Sequence, residues 1–361
     1  MDKKEVLELR RRMKKETCSF DRICGCYVND RKQKVFSFGE NFLNLPEEDF
    51  FKFLDVAKKC LGGKLKNNLL DIEFPTAAEE AGEIQDVLLK VKKSGLKDDT
   101  LLNLLYDRII DCYEITGNFV ILLYHDIYDV PVKACDGTVL EDESTVYEYM
   151  ICAVCPVELT KPALGCVPES NAVSSMERGW EVKMPESAFL FPAFNDRAED
   201  IHSALFYTKN TKEPHHEVIS TLLSCDADVT TEEELRDEFT DMVGLGLLAS
   251  GKGTDSLDDA MLEIQSSLNE VLQEHEAAYG ETDGQSLEMN KELLADVLSD
   301  TTLSEIEQQE IKNVYEKHMA GREIKVSSLV DEKLLSREAL LLENRKLKQE
   351  IARLQKELEN I

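Results

Sequence analysis

The sequence predicts an α+β protein: an antiparallel sheet with flanking helices, then an acidic helical segment and a C-terminal coiled-coil helix. Three observations carry this. Helical periodicity is grouped ahead of the strands instead of alternating with them, so a doubly wound parallel sheet is disfavoured. The strand-like runs come in pairs joined by turn formers, which is the pattern of hairpins. Beyond residue 225 the composition turns acidic and helical and closes in a heptad pattern. The expected layout is an α+β domain at residues 1–225, an acidic helical segment at 226–320, and a linker with the coiled-coil helix at 321–361.

Residues 23–28 and 33–38 flank Asn29-Asp30-Arg31-Lys32 and predict a hairpin. Pro46 followed by Glu47, Glu48 and Asp49 marks a helix start, Phe50, Phe53, Leu54, Ala57 and Leu61 line one face, and Gly62-Gly63 ends it. Further helices are expected over residues 77–93, stopping at Ser94-Gly95, and from Asp98-Asp99 to Gly117. Aromatic and β-branched residues then predict strands at 118–127, 145–157, 187–194 and 201–208. The first pair is joined through Asp136-Gly137 and the second through a loop at 195–200. In the acidic part, Leu257, Met261, Ile264, Leu268, Val271 and Leu272 form one helical stripe. Breaks are expected at 244–253 and 280–284, a helix over 303–319, and a short strand or linker at 322–330.

The chain has 361 residues and a net charge of −30. Residues 226–310 hold 24 acidic side chains against only Arg236, Lys252 and Lys291, whereas the first 37 residues hold 11 basic and 6 acidic ones. So negative a field argues against nucleic acid as a partner, because phosphate affinity comes from clustered Lys and Arg. The basic run from Arg10 to Lys15 reads instead as a solvated helix face, or one docking on the acidic segment. Apolar runs such as residues 119–124 are far short of the ~20 residues that span a bilayer, so no membrane is expected. The mixed-charge N-terminus lacks the apolar stretch of a secretory signal, which places the protein in the cytoplasm with its ten cysteines as thiols.

Four phrases of the first two-thirds resemble a bacterial family defined by a domain of unknown function, number four-three-one-seven. They are RRRMKKETCSFDRICGCYV (10–28), NLLDIEFPT (68–76), CAVCPVELTKPALG (152–165) and FLFPAFNDRAEDIHSALFYTK (189–209). Together they span about residues 1–225. The resemblance implies no reaction and no catalytic residues. Similar proteins continue after the acidic helices into a β-rich tail, whereas this chain ends in a long helix.

Several motifs invite chemistry. Cys152 and Cys155, with Cys166 further on, have one metal-like spacing, but a zinc ribbon needs a second close pair. A three-residue separation within a strand also sends the two thiols to opposite faces. No metal and no cofactor are therefore expected. The stretch from Gly246 to Thr254 resembles a phosphate-binding loop, but an acidic helix precedes it and Asp255, Asp258 and Asp259 follow, which favours a Gly-rich linker. His216-Glu217 opens like a zinc-protease helix, yet Ser220 stands where the second His belongs, and no GxSxG elbow occurs.

The most site-like group is Asn195, Asp196, Arg197, Asp200 and His202, carried by a loop between two strands, with His125 and Asp126 as partners across the sheet. Ordinary turn chemistry for Asn-Asp and an internal ion pair for Arg197 form the competing account. At the C-terminus, Leu340, Asn344, Leu347, Ile351, Leu354, Leu358 and Ile361 are separated alternately by four and three residues, a seam that suits a parallel dimer with Asn344 setting the register. The leading expectation is a non-enzymatic interaction or scaffold protein that self-associates through this helix, with another protein as a further possible partner. The alternative is a hydrolase or small-ligand-binding enzyme using the Asp196, Arg197 and His202 loop.

Overall fold

The structure is a computed structural model; it describes residues 1–75, 82–114, 116–133, 139–167, 172–225, 229–251, 256–279, 287–319, 321–322 and 324–336. The chain divides into two compact units, Met1–Thr231 and Glu232–Ile361. The first opens with helix α1 (Lys3–Arg12), held by a capping box in which Asp2 and Glu5 satisfy each other's amides. Strands β1 (Phe20–Val28) and β2 (Lys34–Asn41) follow as the expected hairpin. Helix α2 (Glu47–Cys60) starts after Pro46 with three carboxylates in its first turn and two lysines in its last, as the helix dipole favours. Next come β3 (Leu69–Glu73), α3 (Gly82–Lys93) and α4 (Asp99–Cys112), the last capped by Asp98, which accepts from the amides of Thr100 and Leu101.

The long hairpin β4 (Asn118–Lys133) and β5 (Val139–Leu159) forms the centre of the sheet. After it come β6 (Leu164–Val167) and β7 (Ala172–Ser175), which pair with each other, and β8 (Trp180–Val182), which pairs with the end of β5. Strands β9 (Ser187–Phe191), β10 (Ala193–Asn195), β11 (Ala198–Asp200) and β12 (Ser203–Thr208) complete the unit. The main sheet runs β2-β1-β4-β5-β9-β12-β3 with every pair antiparallel, and β8 lies off this path beside β5.

Both faces of this sheet are buried, so its central strands are continuously apolar and not alternating. In β4, Phe119, Ile121 and Leu123 enter one core, with α3, α4 and the π-helical turn Val218–Leu222. Val120, Leu122 and Tyr124 enter the other, with α1 and α2. The second unit comprises α5 (Glu232–Ala249), α6 (Leu257–Tyr279), α7 (Lys291–Ser299), α8 (Glu305–His318) and the single turn α9 (Val326–Leu329) around its own core. Met261, Ile264 and Leu268 of the expected stripe are buried there. Buried Gln265 pins the chain beyond α9, donating to the Leu329 carbonyl at 3.0 Å and accepting from the Asp331 amide at 2.8 Å.

The structure corrects the expectations in several places. The stretch 195–200 is not an open loop: β10 and β11 make a two-residue hairpin through Asp196 and Arg197. Helix α5 does not break at Gly244. It continues to Ala249, and Gly246 lets α8 approach so closely that an added Cβ would lie 2.6 Å from Ile311. Residues 322–330 are neither strand nor plain linker, since Lys325 bridges Glu288 and α9 follows. The N-terminal basic run is not wholly solvated, because Arg12 inserts against the sheet. The coiled-coil seam from Leu340 to Ile361 and the Asp136-Gly137 turn lie outside the described residues, as do residues 252–255 of the Gly-rich stretch.

Candidate functional site

At one end of the sheet, β4 passes from apolar residues to His125 and Asp126. Consecutive residues of a strand point to opposite faces, so the two open two separate polar clusters. Both are almost fully buried.

On the α3 and α4 face, His125 Nδ1 lies 2.6 Å from Asp21 Oδ1 and Nε2 lies 3.1 Å from Glu148 Oε1. Lys92 of α3, 2% exposed, adds its ammonium 3.6 Å from Glu148 and 2.5 Å from Glu199. Burial by itself would lower the His125 pKa, but the hydrogen bonds and charges of Asp21 and Glu148 outweigh it and raise the value above 6.5. A carboxylate thus flanks the ring at each nitrogen. Both ring nitrogens are occupied and the residue is 1% exposed, so it offers no nitrogen to a substrate. The arrangement instead ties β1, α3, β4, β5 and β11 together.

On the α1 face, the Asp126 carboxylate accepts from the Tyr149 hydroxyl at 2.6 Å and sits 3.4 Å from Arg12 Nη1. The Arg12 guanidinium carbon lies 3.5 Å from the centroid of the Tyr128 ring, a close cation–π contact. Tyr128 in turn donates to Glu8 at 2.7 Å, and Glu8 pairs with Arg197. Arg197 also donates from Nη2 to the Pro131 carbonyl at 2.9 Å, while its amide reaches Glu5. Charges alternate along this chain, from Asp126 through Arg12 and Glu8 to Arg197. It clasps α1 to the long hairpin and to the β10–β11 turn.

The loop residues singled out from the sequence are therefore drawn into structural work. Asp196 and Arg197 both have positive φ, 51° and 58°, as a two-residue type I′ hairpin demands. Arg197 turns to Glu8 and the Pro131 carbonyl, while Asp196 is exposed. Asp200 is encircled by Asn195 Nδ2 at 2.7 Å, the Ser203 hydroxyl and the His202 amide at 3.0 Å. Against the cost of partial burial, these donors hold its carboxyl below the ordinary range. His202 is exposed, and its carbonyl accepts from the Phe74 amide. Arg197 and Asp126 belong to one charged chain through Glu8, Tyr128 and Arg12, whereas His125 lies in the cluster on the other face.

The cysteines behave as strand geometry requires. Cys152 enters the core beneath α3 and α4, Cys155 the core beneath α1 and α2, and Cys166 is exposed on β6. Burial pushes Cys155 up to about 12 and Cys152 higher still, so both remain neutral thiols. Among the described residues no group of three His, Cys, Asp or Glu side chains is placed to hold a metal ion. The Gly-rich phosphate-loop candidate begins inside α5, where Gly246 is buried against Ile311. His215 stacks on Tyr113 with centroids 5.1 Å apart and contacts Glu217 at 2.9 Å, just before the π-helical turn.

Asp21, Glu148, Lys92 and Glu199 escape motif reading because they come from four elements with no common spacing. One signal was available for the other face. Glu5, Glu8 and Arg12 are spaced three and four apart beside the apolar stripe Val6, Leu9 and Met13, so they flank whatever that stripe covers.

No helix among the described residues is long and apolar enough to cross a membrane. Among curated proteins none matches the chain. A family match spans residues 1–342, well past the phrases that carry the resemblance and through the described helices of the second unit, and by it the chain belongs to the family of the domain of unknown function DUF4317.

Proposed function

We propose that this chain is a non-enzymatic, cytoplasmic interaction protein that associates with itself through its C-terminal helix. The layout follows the two compact units, an α+β domain and an acidic helical segment completed by α9, with a dimerising helix over the seam at residues 340–361. The observation that carries the interaction reading is a set of exposed apolar side chains on the β6–β7 pair, just after it, and on β8. Leu164, Val173, Met176 and Trp180 are all more than half exposed there. Exposed apolar residues gathered on one arm are what a protein contact covers. The engagement of Arg197, Asp200 and His125 by internal partners supports a non-enzymatic role.

Self-association rests on the seam Leu340, Asn344, Leu347, Ile351, Leu354, Leu358 and Ile361. Three heptads give moderate affinity, so the dimer is concentration-dependent. Sedimentation of the full chain and of a chain lacking residues 340–361 tests this. The full chain is expected to shift from monomer to dimer as concentration rises, and the shortened chain to stay monomeric with its far-ultraviolet spectrum otherwise retained. Replacing Asn344 by Ile should tighten association and broaden the oligomer distribution. A full-length monomer at tens of micromolar would sink the reading.

A further inference from the structure

The first unit contains a cleft that the clusters above do not use. It lies on the α4 side of the sheet edge, where β1 and β2 meet the first two turns of α4, and has a volume of about 410 Å³. Small-molecule pockets run from roughly 300 to 1,000 Å³. Its base is Cys24 and Gly39, which face each other in register across the β1–β2 pair, and its rim carries Arg22, Ser37 and Asp99. Lys34 bridges one side, reaching Asn103 Oδ1 at 3.2 Å and Asp107 at 2.8 Å, so β2 is strapped to α4.

Three details point to an occupant. Arg22 is fixed by donating Nε–H to the Leu96 carbonyl at 2.8 Å. That leaves its Nη2 over Gly39, where an added Cβ would lie 2.9 Å from Nη2 and 3.1 Å from Cys24 Sγ; the space exists because residue 39 has no side chain. Tyr106 lines the cleft at 2% exposure, and its hydroxyl is buried without a hydrogen-bond partner. A buried polar group left unpaired costs stability, so a ligand that supplied an acceptor here would relieve that cost. Burial, then the neighbouring Cys24, Cys26, Cys152 and Asp99, push this hydroxyl's pKa up, so it stays protonated and offers a donor.

We propose that this cleft binds a small zwitterion of the α-amino-acid class, with the ligand carboxylate on Arg22 and the Tyr106 hydroxyl and its ammonium on Asp99. A guanidinium fixed at one nitrogen presents the others in a fork matched to a carboxylate. Asp99, exposed at the start of α4, supplies the opposite charge within the same cleft. This inference does not depend on self-association.

Calorimetric titration of the full chain with individual α-amino acids tests it, with acetate, methylamine and inorganic phosphate as one-headed probes. At least one amino acid should bind saturably below about 1 mM, with each one-headed probe at least about tenfold weaker. Tyr106→Phe should leave the melting temperature of the ligand-free protein unchanged or higher, because the hydroxyl has no partner to lose, and weaken binding about three- to tenfold. Asp99→Asn should weaken amino-acid binding by about tenfold or more while leaving acetate binding unchanged. Absence of saturable binding by every amino acid up to about 10 mM overturns the proposal. So does acetate or phosphate binding as tightly as the amino acids, or a Tyr106→Phe protein that binds as the parent does or melts below it.

Discussion

His125 and Asp126 are neighbours in one strand, yet the two faces of the sheet treat them differently. On the α3 and α4 face the strand supplies a cation and the surroundings supply carboxylates: Asp21, Glu148 and, through Lys92, Glu199. On the α1 face the strand supplies a carboxylate, and Arg12 and the Tyr149 hydroxyl come to it. The first cluster has an imidazole at its centre, and the two carboxylates favour the protonated form of that ring. The second pairs an arginine with an aspartate and contains no imidazole. A buried charge is tolerated only where an opposite charge and hydrogen bonds meet it, and here the two faces meet that requirement with opposite polarity.

The largest effect is expected from Asp126→Ala. It leaves the Arg12 guanidinium and the Tyr149 hydroxyl facing each other in a dry site, at a cost of about 3 kcal/mol, and loosens α1 from the sheet. Urea denaturation measures the loss, and proteolysis near α1 should accelerate; a change below about 1 kcal/mol would mean that Arg12 finds solvent when its partner goes.

His125→Gln is expected to cost about 2 kcal/mol at mildly acidic pH, where the imidazolium bridges two carboxylates. Its sign with pH follows from the raised folded-state pKa. The stabilisation is complete below the unfolded value of 6.5 and is lost as pH rises through the folded value, so parent and variant should converge toward alkaline pH. Parallel stability curves for parent and variant would show that the ring is neutral throughout.

The smallest effect separates backbone from side chain at the β10–β11 turn. Arg197→Ala and Arg197→Gly both lose Glu8 and the Pro131 carbonyl, but only glycine relieves the left-handed conformation at φ 58°. The glycine variant should therefore be more stable than the alanine one by about 1 kcal/mol in thermal denaturation. Equal stabilities would place the strain elsewhere in the turn.

Much of the candidate site's wiring was invisible along the chain. His125 and Asp126 could be named as polar residues ending an apolar strand, and Arg197 as a residue seeking a carboxylate. Glu8 as the partner of Arg197 lies 189 positions away, and Lys92 and Glu199 are 107 apart. The β10–β11 turn was missed because Arg is poor type I′ chemistry at its second position, and the contacts of Arg197 with Glu8, Glu5 and the Pro131 carbonyl offset that. Gly246 was read as a break from its residue type alone, whereas in the helical unit close approach to Ile311 decides in favour of helix.

What the sequence by itself determined is local: α2 between Pro46 and Gly62, α4 behind its Asp98 cap, the β1–β2 hairpin, and the opposite facing of Cys152 and Cys155. Each of these follows from spacing, capping or alternation within a few residues, and no other part of the chain is needed to decide it. Tertiary structure alone decided the sheet order, the placing of β3 at an edge beside β12, the two charge clusters and the cleft beneath Tyr106. Those depend on which side chains desolvate one another across long sequence separations, and the cost of burying a charge or a hydroxyl is defined only when its neighbours are in place.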